Sequence, residues 1–194
     1  MPAFEIRNGE IEVDKEITAI DRFAIETLRI IGKYARYVII GGYVAIFFGS
    51  SRAVEDIDIF IEDPGFPKFV KLYTELKRKG YELTIGDAKA LYYDCLKCNL
   101  SIRVWEKGFP LLNLELKTAE SPSQKLAIAE RIRVRMRDTI LYFAPIEGQI
   151  AYKRHIMKGP KDLEDAKHLE IVVEGLNAKR IEDYRKLFKD ESRR

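Results

Sequence analysis

The sequence has no long hydrophobic segment and few side chains that bind metals through nitrogen or sulfur. No apolar run approaches the about 20 residues that a membrane-spanning helix needs, and residues 1–13 contain neither the apolar core nor the cleavage site of a signal peptide. We therefore expect a soluble, cytoplasmic protein. The chain has two cysteines and two histidines. Cys95 and Cys98 form one CxxC, which is half of a four-ligand zinc site, so we expect two partly buried thiols rather than a metal or redox centre.

A large excess of one charge is also absent. Lys and Arg total 34 and Asp and Glu total 31, which gives a net charge of +3. Any basic surface for nucleic acid must therefore be local. Charged residues nevertheless make up 34% of the chain, and a surface rich in Lys, Glu and Arg is typical of thermophilic proteins. With 194 residues, of which 46% are hydrophobic, the chain can bury one sizeable core.

The most informative segment is residues 37–62, YVIIGGYVAIFFGSSRAVEDIDIFIE. Its β-branched residues 38–40 predict a short strand that stops at Gly41 and Gly42, where the absence of a Cβ allows a sharp bend or a close approach to a ligand. Residues 43–48 follow as the first turns of a helix. The N-terminal N–H groups of such a helix are a favourable place for phosphate.

The end of this segment predicts a second strand with two acids on one face. Because side chains alternate along a strand, Asp56 and Asp58 point to the same side, and the isoleucines between them point to the core. Two neighbouring carboxylates repel each other unless a cation lies between them. Their hard oxygen atoms are suited to Mg²⁺.

Together, Ile40-Gly41-Gly42, a spacer and Asp56-x-Asp58 resemble the signature of the DNA polymerase β-like nucleotidyltransferase superfamily. The wider pattern is similar to minimal members, including the toxin nucleotidyltransferases of abortive-infection type IV toxin–antitoxin systems. The resemblance implies an α/β (α+β) fold with a mixed sheet. It also implies Mg²⁺-dependent transfer of NMP from an NTP to a hydroxyl acceptor, with tRNA or a protein as the candidate acceptor and an antitoxin protein as a candidate partner.

The same resemblance implies a third carboxylate on a neighbouring strand, which would act as a general base or complete a two-metal site. Glu115 has the required parity, because it alternates with leucines in the strand predicted over residues 111–117. Glu106 is the second choice, since it adjoins a turn. A solvent-exposed charge on a half-buried strand is the non-functional interpretation of Glu115.

Phosphate-binding residues are expected in two regions. In the first region, Gly41 and Gly42 would let the backbone approach the phosphates. The polar loop after the helix, Ser50, Ser51 and Arg52, would assist, with Arg52 as a forked guanidinium donor. In the second, similar enzymes carry a lysine, a break and Lys-Asp-x-x-Asp, matched here by Lys153, Lys161, Asp162 and Asp165. Lys153 would reach the triphosphate, and one of the two acids would orient it. An ordinary ion-paired helix face is the alternative.

The rest of the chain predicts one compact unit with a soft boundary at residue 145. Residues 1–144 would form the α/β catalytic part, and residues 145–194 a helical part packed on it. Asn8-Gly9 between alternating apolar residues predicts an N-terminal hairpin. The remaining predictions are helices over 16–34, 66–79 and 124–132, strands over 81–85 and 100–105, two strands within 133–143, and three C-terminal helices.

A catalytically inactive nucleotide- or RNA-binding module of the same fold is the alternative function. Its main support is a row of arginines that would share one face of a strand and could contact a phosphate backbone; these are Arg131, Arg133, Arg135 and Arg137. A charged edge strand protected from aggregation is the competing interpretation. The sequence leaves open the acceptor, the preferred NTP and the oligomeric state.

Overall fold

The structure, a computed structural model, describes residues 4–51 and 56–193. Its strands are β1 (Phe4–Glu5), β2 (Glu10–Glu12), β3 (Tyr37–Ile40), β4 (Asp56–Ile61), β5 (Tyr81–Leu83), β6 (Ile102–Glu106), β7 (Phe109–Thr118), β8 (Ile132–Met136), β9 (Thr139–Phe143) and β10 (Val173–Glu174). Its helices are α1 (Ala19–Ile31), α2 (Gly42–Phe47), α3 (Phe66–Arg78), α4 (Ala88–Ala90), α5 (Pro122–Ala129), α6 (Ile146–Tyr152), α7 (Pro160–Val172) and α8 (Ala178–Glu191). Within these ranges, every helix is too short or too polar to span a bilayer.

Eight of the described strands form one mixed sheet in the order β2-β8-β9-β3-β4-β7-β6-β5. Strand β4 lies near its middle, antiparallel to β3 and parallel to β7. The side chains of β4 alternate as expected from the sequence, because Ile57, Ile59 and Ile61 are buried and the intervening side chains are partly accessible. The sheet therefore has one face in the core and one face that presents acids.

The helices cover the two faces of the sheet unequally. Helices α1 and α3 pack on the face that contains the isoleucines of β4, and their apolar side chains join the main core. A smaller cluster lies on the other face, where Ile128 of α5 packs against Val38, Ala119 and Ala144. Because α5 covers only part of this second face, the middle of β4 and β7 remains accessible there.

The predicted N-terminal hairpin is wrong in its strand pairing, although its turn is present. Asn8 and Gly9 have φ values of 52° and 73°, and a bridge between Arg7 and Glu10 closes the turn. However, β1 pairs with β10 in a separate two-stranded sheet, and β2 pairs with β8 at the edge of the main sheet. The turn chemistry is local, whereas the choice of partner strand depends on distant residues that a local pattern does not reveal.

The C-terminal segments form the predicted helices, with two refinements. Pro145 is the N-cap of α6 rather than its first residue, and α6 continues into a π-helical turn over Lys153–Met157. The side-chain oxygen of Asn177 caps α8 by accepting hydrogen bonds from the backbone N–H groups of Lys179 and Arg180. Helix α8 packs closely on α6, since a Cβ at Gly148 would lie 3.2 Å from the Tyr184 ring. The boundary at residue 145 stays a prediction.

Candidate active site

The bend between β3 and α2 depends on the absence of a side chain at Gly41. This residue has φ +78°, and a Cβ built on it would lie only 2.5 Å from Oδ2 of Asp58. The N–H of Gly41 donates to the side-chain oxygen of Gln149 over 3.2 Å, which ties the bend to α6. The Gly41-Gly42 motif thus lets a carboxylate of β4 lie directly against the start of α2.

Three carboxylates lie together on the accessible face of the sheet. Asp58 is in register with Glu115 of β7, and Asp56 is two residues earlier on the same face of β4. All three line a single cavity of about 770 Å³. The convergence expected from strand parity is therefore present, while the catalytic role of these acids stays a prediction.

Asp58 is the most perturbed acid of this cluster. Burial, reinforced by the negative charges of Asp56 and Glu115, raises its pKa to about 6, and the positive charges of Lys117 and Lys153 oppose the rise. Burial and like charges both disfavour the ionised form. The site therefore carries excess negative potential, which a divalent cation would relieve.

Glu115 also has a basic partner outside the cluster. Nε of Arg103 on β6 donates to Oε1 of Glu115 over 2.6 Å. The Arg103 side chain is 61% exposed and that of Glu115 only 14%. Arg103 therefore reaches Glu115 from the surface and does not fill the space between the three acids.

The donor set fits a magnesium ion, although the described residues hold no preformed cluster of three acidic, histidine or cysteine side chains suited to a metal. Asp56, Asp58 and Glu115 supply hard oxygen atoms from two adjacent strands. Burial, together with the negative charges of its two neighbours, raises the pKa of Asp58, and a bound cation would favour its ionised form.

Lys153 is buried in a second charged cluster at the edge of the cavity. Its Nζ donates to Oδ2 of Asp165 over 2.8 Å and lies 3.6 Å from Oδ1 of Asp162. The lysine is 3% exposed, and both acids come from the first turns of α7. Both acids contact the ammonium group, and their role in orienting it toward a substrate stays a prediction. Lys161 is exposed and lines the cavity, and contact of either lysine with a triphosphate stays a prediction.

Ser50 and Ser51, the described residues of the polar loop after α2, do not line the described cavity. Ser50 is half-buried and its N–H donates to the carbonyl of Ala45 over 3.0 Å, which ends the helix. Ser51 is exposed, and neither serine is among the residues that line the cavity. Arg52 lies outside the described residues. For the two serines, the structure favours the interpretation of a loop that closes a helix.

The remaining sequence candidates are mostly engaged within the fold. Arg133 and Arg135 form ion pairs with Glu10, and the guanidinium of Arg131 lies 3.9 Å from the centre of the Tyr142 ring. Much of the arginine row is therefore neutralised or stacked. In the described part of the chain both cysteines are free thiols, and only Cys95 has the partial burial expected of both, since Cys98 is exposed.

Several residues that line the cavity were not found from the sequence. Lys117 lies two residues after Glu115 on the same face of β7, and the alternation that identified Glu115 could have identified it too. An aromatic wall, made of Tyr152, Tyr184 and Phe188, closes another side, with the Phe188 ring centroid 5.3 Å and 6.1 Å from those of the two tyrosines. Its position depends on the packing of α8 on α6, for which the sequence offers no local signal.

The end of α8 is fastened across the cavity to the start of α5. One carboxylate oxygen of Glu191 accepts from the N–H of Ser123 over 2.6 Å, and the other accepts from its hydroxyl over 2.7 Å. Ser121 adds a third, longer bond of 3.3 Å. This tether fixes the aromatic wall relative to the acids.

Comparison with known proteins supports the fold. No protein-family model matches the sequence, and none of the curated proteins compared with it matches either. The chain is similar to the lincomycin-bound lincosamide antibiotic adenylyltransferase LnuA, with 17% identity and a TM-score of 0.50 over 81% of this chain and 99% of that one. It is also similar to the antibiotic-resistance factor ANT(2'')-Ia, with 13% identity and a TM-score of 0.53 over 89% and 95%.

A third similar structure is an antigenic nucleotidyltransferase-like protein from Paracoccidioides brasiliensis, with 13% identity and a TM-score of 0.52 over 89% of this chain and 87% of that one. At such low identities the likeness establishes the fold alone. The α/β fold with a mixed sheet that the sequence predicts is confirmed, and it is the fold of known nucleotidyltransferases.

Proposed function

We propose that this protein, which has a nucleotidyltransferase fold, is an enzyme that transfers NMP from an NTP to a hydroxyl acceptor with the help of Mg²⁺. The observation that carries the proposal is the convergence of Asp56, Asp58 and Glu115 on one cavity beside the Gly41 bend. The pKa of Asp58, raised to about 6, is the electrostatic signature of a site that accommodates a cation.

In such a transfer the acceptor oxygen forms a bond to the α-phosphorus while the bond to the pyrophosphate oxygen breaks. Asp56, Asp58 and Glu115 would hold one or two magnesium ions, which, when bound, stabilise the phosphate charge and acidify the attacking hydroxyl. Glu115, which lies beside Asp58 on the neighbouring strand, would accept the proton that the hydroxyl loses. The protein thus contributes mainly position and charge.

The phosphates of the nucleotide would lie between the bend and the lysines. Gly41 and Gly42 leave the backbone accessible there, and Lys161 offers an exposed cation at the rim of the cavity. Lys153, which Asp165 orients, would define the inner edge of the phosphate site. The segment from residue 145 onward would close the site with its aromatic wall, which gives the C-terminal helices a functional role.

For the acceptor, tRNA or protein follows from the resemblance to toxin nucleotidyltransferases, and an antitoxin would then be a partner. A small molecule is a further candidate, because two proteins of similar fold are an adenylyltransferase bound to lincomycin and an antibiotic-resistance factor. The inactive RNA-binding alternative receives less support, since two of the four arginines on which it depends pair with Glu10.

Transfer of radiolabel from each of the four α-labelled NTPs tests the proposal. Total tRNA, the protein itself, a protein extract and lincomycin are offered as acceptors in the presence of Mg²⁺. We expect one acceptor to be labelled, and Asp58→Asn to abolish labelling. Glu106→Gln is the matched control, because Glu106 is an exposed acid at the end of β6, the strand next to β7. Labelling that persists in Asp58→Asn would falsify the assignment, and so would a lack of labelling of every acceptor.

A further inference from the structure

The lysines that line the cavity differ in how their charge is balanced. Lys153 is buried against two carboxylates, those of Asp162 and Asp165, so its cluster carries no net positive charge. A buried lysine that is already paired in this way attracts an additional anion weakly, because its charge is balanced by the two carboxylates. The residue that the sequence assigned to the triphosphate is therefore the least available of these cations.

Lys117 has the opposite environment. It is half-buried on β7, lines the cavity, and makes no hydrogen bond or ion pair with the residues that the structure describes. It lies on the same face as Glu115, roughly 6–7 Å further along the strand. This cation thus faces the reaction centre without a carboxylate of its own.

We infer that Lys117 is a phosphate-binding residue of this site, one that contacts the triphosphate or departing pyrophosphate of the nucleotide, while Lys153 serves to position the wall of the cavity. The inference rests on the proposed function, since it assigns Lys117 to the substrate of that reaction. The strand fixes the backbone of Lys117 beside the acids. The ammonium group on its side chain offers three donors to phosphate oxygens. Bound magnesium would offset the acids, which leaves the charge of Lys117 to act on the phosphates.

Binding of inorganic tripolyphosphate and of ATP to the full chain tests this inference directly, by calorimetry with Mg²⁺ and without an acceptor. We expect Lys117→Met to weaken both by about 10- to 100-fold, because a hydrogen bond to a charged group is lost. Lys117→Arg keeps the charge and should retain most of the affinity. Lys125→Met, an exposed lysine of α5 outside the cavity, is the matched control and should bind like the wild type.

The outcomes separate this inference from the proposed function. If Lys117→Met remains folded, as judged by its melting temperature, and binds tripolyphosphate as tightly as the wild type, the assignment of Lys117 is wrong. It is also wrong if Lys117→Arg is as impaired as Lys117→Met, since the site then needs the shape of lysine rather than its charge. If binding depends on Lys117 but no acceptor is ever labelled, the phosphate site stands and the transferase proposal fails.

Discussion

Replacing Asp58 by asparagine should make the metal-free protein more stable while it abolishes activity. Asparagine has nearly the same shape as aspartate but carries no charge, so the repulsion from Asp56 and Glu115 is removed. In the native protein burial and these neighbours raise the Asp58 pKa from 3.8 to about 6. A carboxylate with a raised pKa in the folded state destabilises the fold once it is ionised.

The pKa rise sets the size of this effect and its pH range. A change from 3.8 to about 6 corresponds to about 3 kcal/mol, and partial solvent screening of Asp58 reduces the expected gain to about 1–3 kcal/mol. Between these two pKa values the folded state binds more protons than the unfolded state, so wild-type stability falls as the pH rises. The advantage of Asp58→Asn should thus be absent near pH 3.5 and complete above pH 6.5.

Urea and thermal denaturation in EDTA, repeated between pH 4 and pH 8, measure the difference in the free energy of unfolding and in the melting temperature between Asp58→Asn and the wild type. For a chain of this length we expect a melting temperature higher by about 2–4 °C per kcal/mol at pH 7.5. Glu106→Gln controls for the simple loss of a negative charge, because Glu106 is an exposed acid of β6 in the same sheet. A variant Asp58→Asn that is equally or less stable than the wild type at pH 7.5 would refute the account of strain among the acids.

Three further results are expected. Glu115→Gln should lower labelling by about 100-fold or more, because the site loses a base or a metal ligand, while Glu106→Gln stays active. The opposite result would assign the catalytic role to Glu106 instead of Glu115. Gly41→Ala should lose about 1–3 kcal/mol of stability and its activity, since φ is +78° and the new Cβ would lie 2.5 Å from a carboxylate oxygen. Lys153→Met should lower the free energy of unfolding, measured by denaturation, by about 3–5 kcal/mol, because Asp165 is left buried without this partner. A loss below 1 kcal/mol would contradict the burial argument.

The parts of the site that the sequence predicts are those governed by local geometry. Alternation along a strand placed Asp56, Asp58 and Glu115 on accessible faces, and a glycine pair marked a bend that tolerates no Cβ at Gly41. Each conclusion uses only the residues within one strand or turn. The expectation that the third acid lies on a neighbouring strand came from the family resemblance, because spacing alone does not determine which strands are neighbours. The parallel register that sets Asp58 beside Glu115 was not predicted.

The parts that the sequence does not predict depend on how distant segments meet. Helix α8 reads as an ordinary amphipathic helix, and only the tether of Glu191 to Ser123 shows that it crosses the cavity. Lys153 was assigned to the triphosphate through the resemblance to similar enzymes, whereas its pairing with Asp162 and Asp165 depends on how α6 and α7 pack together. A sequence shows which charges a site contains, but the pairing of those charges decides which of them remain available to a substrate. For this reason Lys117, which the alternation of β7 places on the face of Glu115 but to which the sequence assigned no role, is the stronger candidate for the phosphate contact.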